Sequence, residues 1–560
     1  MSRLTFSGVP AAPGTALGLI HHVDQPPAAL ERRPAGGDPA AEVVGAFDAV
    51  ATQLLDLSKA LRASGQADMA DIVETNSYIA LDNELRGAAV RRLSPGLSPA
   101  RAVAAAVHEY AGMLAALDDP TLAERAADVR QVGRRVLAHL AGSETATPEG
   151  PIVLAAHEIG APDLLEHGDM VVAAISVIGG PNAHASIIAR SLGIPLIIGL
   201  DVAILASPEG SAVLVDTRHA TVTVHPDQAE RGEAIAAMDA AVRLRDLLAA
   251  ERNLPCETRD GHPVGLYANI ATPVEAKSVG ENNAEGVGLL RTELPFLEAH
   301  EWPTEAQHTA VLRPILGKLP GLPVTVRTLD FADDKFPPFL APAAVDGHLG
   351  RGLPLMLAGP AAFQHQFRAI LTAGADCELR IMIPMVATAA ELVACREILH
   401  ATATDLGVSP PPLGAMIELP EAVAAIDELA RESAFLSIGS NDLTSQILRL
   451  DRRDPSVTAA LAAHPAVLHA IATTVAAAHR HGRRVSVCGN AAADPLVIPL
   501  LVGLGCDTLS VAPTAVDEVR ARIRRLTSST CAEVARTALT LDTVADVWEL
   551  VTNQCMPSLP

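Results

Sequence analysis

Residues 179–195 read Gly179-Gly180-Pro181-Asn182-Ala183-His184-Ala185-Ser186-Ile187-Ile188-Ala189-Arg190-Ser191-Leu192-Gly193-Ile194-Pro195, and the rest of the chain is read outward from them. A β-like apolar run, Met170 to Ile178, leads into the glycine pair and the proline. A short helical pattern follows, with Ile187, Ile188 and Leu192 on one side. Gly193 is placed to end that helix in the left-handed conformation, and Pro195 blocks its continuation. Leu196 to Leu200 then reads as another strand. His184 therefore falls where a tight loop becomes a helix N-terminus. Free backbone N–H groups and the positive end of the helix dipole favour an anion there. A neutral imidazole at that place can attack a phosphoryl group, and the helix end would hold the resulting phosphohistidine. A lone His before a helix is more often a cap or a partly buried structural residue; the neighbours of His184 reverse that balance.

At 560 residues the chain is too long for one core, and three or four domains are expected. Aromatic residues make up only 2%, so Ala and Leu must carry the cores. Lys and Arg number 42 against 65 Asp and Glu, a net charge of −23 that argues against nucleic acid as a main partner. An anionic substrate can still be held where arginines are concentrated in one cleft. The seven cysteines, at 256, 377, 395, 488, 506, 531 and 555, are scattered and contain no C-x-x-C pair. Neither a disulfide framework nor a zinc pattern follows. The N-terminus lacks a basic-then-apolar leader, and no apolar run of about 20 residues occurs, so no membrane insertion is expected. The expectation is a soluble cytoplasmic protein with reduced thiols.

Phe6 to Ile20 reads as two short strands around Ala12-Pro13-Gly14. Residues 40–140 read as all-helical. Val43, Phe47, Val50, Leu54, Leu57 and Leu61 recur every three or four residues, the pattern of one long amphipathic helix. Ser98-Pro99 is an N-cap followed by Pro at the first helical position. Val103, Val107, Tyr110, Leu114 and Leu117 continue an apolar face, and Leu122, Val129, Val132, Val136 and Leu140 form the last helix. Short connections favour an antiparallel bundle. Between Asp38 and Glu84, nine acidic residues stand against Lys59 and Arg62; a charged helix face of this kind is usually only solvated. Residues 227–252 are an Ala-, Glu- and Arg-rich helical pattern, read as a linker.

Residues 253–540 repeat a strand-then-helix pattern. The strands expected are Val264–Ile270, Gly286–Thr292, Val324–Thr328, Leu379–Met385, Gly414–Glu418, Phe435–Ile438, Arg484–Cys488 and Asp507–Val511. Eight such runs argue for a (β/α)₈ TIM-type barrel, whose active site lies at the C-terminal ends of the strands. The chemically useful residues fall there. Arg291 ends the second run, Arg327 the third, Glu418 the fifth and Cys488 the seventh. Asn441-Asp442 follows the sixth, with Arg452 on the loop beyond. A single Arg is more often a surface ion pair, a single Asp a helix cap, and a single Cys a small buried hydrophobe. Three arginines, two carboxylates and a thiol in one register point to a site. Arginines suit a substrate carrying phosphate and carboxylate. Glu418 and Asp442 suit Mg²⁺, which takes one or two carboxylates together with waters and substrate oxygens. A protonated Cys488 can deliver a proton to carbon.

The Gly179–Pro195 stretch resembles the phosphohistidine motif of the phosphoenolpyruvate-utilising enzymes. That family includes enzyme I of the sugar phosphotransferase system, pyruvate phosphate dikinase and phosphoenolpyruvate synthase. Gly286-Val287-Gly288-Leu289-Leu290-Arg291-Thr292-Glu293, Leu379-Arg380-Ile381-Met382-Ile383-Pro384-Met385, Ser437-Ile438-Gly439-Ser440-Asn441-Asp442-Leu443-Thr444 and Val487-Cys488-Gly489 all look like enzyme I. So does Leu117-Asp118-Asp119 through Glu124-Arg125-Ala126-Ala127-Asp128-Val129-Arg130. The likeness runs over about residues 1–540 in the same domain order. It implies His184 as the phosphorylated residue and Cys488 as the acid. Arg291, Arg327, Asn441, Asp442 and Arg452 would bind phosphoenolpyruvate, and Glu418 and Asp442 would hold Mg²⁺.

The domains it implies are a swivelling α/β phosphohistidine domain (1–25 and 141–226), an inserted helical bundle (26–140) that docks the phosphocarrier protein HPr, the linker, the barrel (253–540) and a C-terminal helix or tail (541–560). An acidic bundle face would suit a basic carrier. A homodimer through the barrel is also implied. The expected reaction is transfer of the phosphoryl group of phosphoenolpyruvate through His184 to a histidine of HPr or an HPr-like carrier, with release of pyruvate.

The sequence departs from the family pattern at several places. Ala183 replaces Ser or Cys, Asn182 replaces Thr, and Asn76 stands where a His is usual. Ala332-Asp333-Asp334-Lys335 replaces Gly-Gly-Asp-Lys. Val345-Asp346-Gly347-His348 replaces an Asn-Pro segment. Of a two-arginine motif only Arg351 remains, with Pro354 at the other position, and Asn490 replaces Glu. These changes motivate the alternative of a catalytically weakened paralogue that binds phosphoenolpyruvate or a carrier in a regulatory role. A nucleotide-dependent dikinase is disfavoured, because the residues before the His184 domain read as helices and leave no room for a large nucleotide-binding domain.

Overall fold

Strict alternation along Ile152–Glu158 shows how the N-terminal part is layered. Ile152, Leu154 and Ala156 enter one core cluster, and Val153 and Ala155 enter another on the opposite face. Successive side chains of a strand point to opposite faces, so this strand is covered on both sides. The computed structural model describes residues 3–23, 38–63, 67–94, 97–116, 120–142, 150–180, 184–297, 299–330, 337, 353–450 and 458–555. The chain divides into two compact units, residues 1–243 and 244–560.

In the first unit the strands are β1 (Leu4–Ser7), β2 (Val9–Ala12), β3 (Thr15–His22), β4 (Ile152–Glu158), β5 (Val171–Ile178), β6 (Leu196–Ile198), β7 (Ala212–Asp216) and β8 (Thr221–Val224). They form one sheet in the order β1-β8-β7-β3-β4-β5-β6-β2. Strands β3, β4, β5 and β6 run parallel. The sequence suggests two N-terminal strands; there are three. Gly8 makes the difference. A Cβ there would lie 2.6 Å from Ile197 and 2.7 Å from the Ile198 carbonyl oxygen. The chain crosses at Gly8, so β1 pairs with β8 at one edge and β2 with β6 at the other.

Between β3 and β4 the chain makes α1 (Pro39–Ala63), α2 (Ala67–Ala80), α3 (Asn83–Arg91), α4 (Pro99–Ala115) and α5 (Pro120–Ala141) around one core. Val43, Phe47, Val50 and Leu54 of α1 are fully buried in it, as the spacing predicts. Ser98 caps α4, its Oγ accepting from the Arg101 N–H at 3.2 Å, with Pro99 next. The sequence reading drew no boundaries for α2 and α3. Asp82 starts α3 by accepting from the Leu85 N–H at 2.7 Å.

The acidic count from 38 to 84 overstates the bare charge of this bundle. Asp48 pairs with Arg86, Asp56 with Lys59 and Glu74 with Arg62. Asn76 is buried, and its side-chain amide donates to Gln131 at 2.8 Å. Gln131 donates in turn to Asp163, in the helix α6 (Ala161–Glu166). Among the described residues no helix is long and apolar enough to cross a membrane.

The second unit holds β9 (Gly265–Ile270), β10 (Val287–Leu290), β11 (Pro323–Arg327), β12 (Glu378–Ile383), β13 (Leu413–Ile417), β14 (Leu436–Gly439), β15 (Val485–Cys488) and β16 (Thr508–Val511). These eight strands are parallel and close into a barrel, with β16 pairing back onto β9. Each lies within two residues of the expected run. The fourth stops at Ile383 because Pro384 has no N–H to donate and Met385 turns left-handed at φ 55°. Ile381, Ile383, Ala415, Ile417 and Val487 pack in the large cluster with the surrounding helices. Their alternates Met382, Met416 and Cys488 form a separate small cluster with Leu289. One pleat face thus points outward to the helices and the other fills the barrel. Gly288 makes room inside, since a Cβ there would overlap Ser510. After barrel strand β16 come the helices Ser528–Ala538 and Val544–Cys555.

Asp163 supplies the sharpest electrostatic test of the first unit. Burial works against its charge. Arg134 at 3.0 Å, Arg135 at 3.3 Å and the Gly160 N–H at 2.8 Å outweigh that and hold its pKa below the usual 3.8. A carboxylate with a depressed folded pKa stabilises fully above its unfolded value, and the contribution is lost as pH falls through the folded value. Asp163→Asn is expected to cost about 3 kcal/mol at pH 7, because two arginines lose a buried partner. Melting curves should show the gap between wild type and variant narrowing below about pH 4; a pH-independent gap would assign the loss to packing instead.

Candidate active site

The rule that barrel chemistry gathers at the strand C-termini places the expected residues together. Arg327 is the last residue of β11 and Cys488 the last of β15. Arg291 and Glu418 lie one residue beyond β10 and β13. Arg291 still joins the ladder, its N–H donating to the Ile270 carbonyl at 2.9 Å. Asn441 and Asp442 stand in the first turn of helix Ser440–Leu448, which starts where β14 stops. Arg452 lies outside the described residues, as do Asp333, Lys335, the 345–348 segment and Arg351. Pro354 is in helix Leu353–Ala358.

Arg327 is the centre of this mouth. Its Nη2 donates to Glu293 Oε1 at 2.7 Å, and its Nη1 lies 2.8 Å from Asp330 Oδ2. Nη1 also reaches Met416 Sδ at 3.8 Å. Burial opposes the charge, but Glu293, Asp330 and Glu418 together raise the pKa well above the ordinary value. Its Nε–H is buried without a partner, as are Asp330 Oδ1 and Thr328 Oγ1. Buried polar atoms without partners are uncommon, and these three are open to a ligand or an ordered water.

Glu418 is fully buried, and Gly439 makes the room for it: a Cβ there would lie 2.9 Å from Glu418 Oε2. Burial, then Asp330 and Asp442, push its pKa up to about 8, against the opposing pull of Arg327 and the Met385 N–H at 2.6 Å. Among the described mouth residues, two arginines (291, 327) face four carboxylates (293, 330, 418, 442). At full ionisation these side chains carry a net charge of −2. Two carboxylates competing in a buried site fit a divalent cation, which would restore the charge balance. Among the described residues no group of three or more His, Cys, Asp or Glu side chains is arranged to enclose a metal. Glu418 and Asp442 alone match the sparse protein ligation that Mg²⁺ accepts.

The Cys488 thiol is buried at 2% exposure, donates to the Ile438 carbonyl at 3.5 Å and accepts from Ser437 Oγ at 3.6 Å. Burial raises its pKa, and Ser437 and Arg327 counter this only in part. The proton therefore stays on sulfur at neutral pH. Asn441 Oδ1 accepts from the Asn490 N–H at 3.0 Å across Gly489, which sits at φ 98°. A Cβ on Gly489 would come within 2.5 Å of Ser440 Oγ, so this loop requires Gly.

Sequence reasoning assigned no role to Glu293, Asp330, Thr292, Gln366 or the Met385 N–H. Glu293 and Asp330 follow the arginines by two and three positions, and the strand-end rule applied one turn further would have found them. Gln366 had no such signal. It lies in helix Pro360–Ala373, fully buried. Its Nε2 donates to Thr292 Oγ1 at 3.1 Å and its Oε1 accepts from the Leu329 N–H at 3.0 Å. Thr292 Oγ1 donates to the Arg327 carbonyl at 2.9 Å. One amide thus ties together the segments that carry Arg291 and Arg327.

The second station is in the first unit. His184 begins helix α7 (His184–Leu192), between parallel strands β5 and β6. Its side chain lies outside the described residues. Ligands of open α/β sheets bind at this kind of strand-to-helix turn. Ala185, Ile188 and Ala189 pack α7 onto the sheet, and Ile187 lies outside that description. Ser186 Oγ donates to the Gly180 carbonyl at 2.7 Å, tying the helix start to the loop. Gly193 is left-handed at φ 68°, and the Ile194 N–H donates to the Ala189 carbonyl at 2.9 Å, which ends the helix as its sequence predicts.

Comparison with known proteins covers both units. Residues 7–125, 148–220 and 245–528 match family models described as the N-terminal, mobile and PEP-binding domains of PEP-utilising enzymes. A multiphosphoryl transfer protein of Xanthomonas campestris is 35% identical over 96% of this chain and 66% of its own length. One of Rhodobacter capsulatus is 39% identical over 78% of this chain and 54% of its own. The chain therefore spans between about half and two thirds of these two relatives. A phosphoenolpyruvate-protein phosphotransferase of Enterococcus faecalis is 32% identical, with 98% of each chain covered.

Gln366→Leu would strip the Thr292 hydroxyl and the Leu329 N–H of a buried partner. The expected cost is about 2–4 kcal/mol of barrel stability, read from urea unfolding. A loss under about 0.5 kcal/mol would show that the network does not hold the strand ends.

Proposed function

Since this chain belongs to the PEP-utilising enzyme family and shares its full length with phosphoenolpyruvate-protein phosphotransferases, we propose that it moves the phosphoryl group of phosphoenolpyruvate to His184 and then to a phosphocarrier protein. The observation that carries this reading is the placement of the Cys488 thiol, buried in the same barrel mouth as Arg291, Arg327 and Glu418, where burial raises its pKa. A site that only bound an anion would have no use for a buried thiol placed to protonate carbon.

The steps follow from the side chains. Arg291, Arg327 and Asn441 receive the phosphate and carboxylate of phosphoenolpyruvate, with Arg452 as a fourth ligand. Glu293 and Asp330 fix the Arg327 guanidinium, and its unpartnered Nε–H remains as a donor. His184 nitrogen attacks phosphorus as the bond from phosphorus to the enolate oxygen breaks. Cys488 gives its proton to the enolate carbon, and pyruvate leaves. Glu418 and Asp442 would hold Mg²⁺, which when bound offsets charge on the transferring group. The N–H groups at the start of α7 suit the phosphohistidine.

The acceptor is a histidine of HPr or an HPr-like carrier, docked on residues 26–140. The 1–25 and 141–226 domain swivels between the stations about the 227–252 helix. The protein is cytoplasmic and pairs through its barrel as a homodimer.

Incubation with Mg²⁺ and ³²P-phosphoenolpyruvate should give acid-labile, base-stable label on the wild type and none on His184→Ala. Absence of label on folded wild type would favour a regulatory binding protein. Cys488→Ala should slow pyruvate formation by about 10²- to 10⁴-fold. Chelation of Mg²⁺ should stop labelling reversibly.

A further inference from the structure

Two cysteines stand apart from the phosphotransfer chemistry. Cys531 lies in helix Ser528–Ala538, and Cys555 ends helix Val544–Cys555. Both are free thiols, and both are buried, Cys531 completely and Cys555 at 6% exposure. They line one cavity of about 260 Å³ together with Arg259, Arg525, Thr530 and Gln554. The cavity is large enough to admit a small oxidant.

The two helices that carry these cysteines are held in place by their neighbours. Gly503 ends helix Ile498–Gly503 so close to Cys531 that a Cβ there would overlap the Cys531 carbonyl. Asp260 caps helix Ser528–Ala538 from outside, accepting from the Ser528 N–H at 2.8 Å and the Ser529 N–H at 3.2 Å. Helix Val544–Cys555 is held by buried Val547 and Val551 and by the Trp548 Nε1–H, which donates to the Ala460 carbonyl at 3.1 Å. Across their shared cavity each thiol acts on the other: Cys555, with burial and Asp260, raises the pKa of Cys531, and Cys531 lowers that of Cys555. Burial instead pushes Cys256 and Cys395 up to about 12, which keeps them unreactive thiols.

We propose that Cys531 and Cys555 are a redox pair that closes to an intramolecular disulfide under hydroperoxide. The Cys555 thiolate attacks one oxygen of hydrogen peroxide. The O–O bond breaks, and the departing hydroxide takes up the proton that Cys555 released, giving water. The sulfur is left as a sulfenic acid. The Cys531 sulfur then attacks the Cys555 sulfur; the S–S bond forms, the S–O bond breaks, and the oxygen leaves with the Cys531 proton as a second water. Two sulfurs lose two electrons in total, and the peroxide oxygens gain them. The bond joins residues 24 positions apart and pins the last helix to the barrel.

Reduced full-length protein treated with one equivalent of hydrogen peroxide, blocked with N-ethylmaleimide and digested without reductant tests this. A Cys531–Cys555 peptide pair should dominate, with two of the seven thiols lost. The melting temperature should rise by roughly 5 °C and fall back with dithiothreitol. Cys531→Ser should leave a Cys555 sulfenic acid that dimedone captures. Oxidation of Cys488 or another thiol ahead of the pair, or Cys555 found only in links between chains, would overturn the proposal. Because the wild-type peptide map reads the pair directly, poor folding of the variant would not hide the answer.

Discussion

One buried guanidinium organises the barrel mouth. Arg327 ends β11 with almost no exposure, and such a charge is costly unless it is paired and hydrogen-bonded. Glu293 and Asp330 supply that pairing from two different strand ends. The three side chains therefore constrain one another, and with them the backbone that carries Arg291. Gln366 reinforces the same junction from a surrounding helix. Loss of any member would leave a buried charge or donor unpaired, which couples the integrity of the site to the integrity of the fold.

The carboxylates then create a second constraint. With Glu293 and Asp330 committed to Arg327, Glu418 and Asp442 bring further negative charge to the same mouth. Burial and these neighbours favour the neutral form of Glu418. A divalent cation at Glu418 and Asp442 would offset that charge. The Cys488 thiol sits in the same low-dielectric space and keeps its proton for the same reason that Glu418 resists ionisation.

In the first unit the controlling features are backbone ones. The parallel pair β5 and β6 needs a crossover, and α7 supplies it. His184 is at the start of that helix because a glycine pair and a proline separate it from β5. Asn76 has a different part. It stands where the resembling family has a His, and here it belongs to a buried chain through Gln131 to Asp163. That chain connects the helical bundle to the sheet.

The eight barrel strands, the helix begun by His184, its stop at Gly193 and the cap at Ser98 were all legible in the sequence. Each rests on local chemistry: period-two burial, a residue that tolerates left-handed backbone, a side chain that reaches its own helix end. The strand-end register also brought Arg291, Arg327, Glu418, Asp442 and Cys488 to one mouth, because barrel topology converts position along a strand into position in space. Four things waited for the tertiary structure. Gly8 sends β1 and β2 to opposite edges of a sheet, which depends on the crowding of Ile197 and Ile198. Gln366 reaches the site from a helix that shares no motif with it. The pairing of Arg327 with Glu293, and the cavity shared by Cys531 and Cys555, join residues far apart in sequence or on different elements. Such contacts depend on packing distance, and no local pattern encodes that.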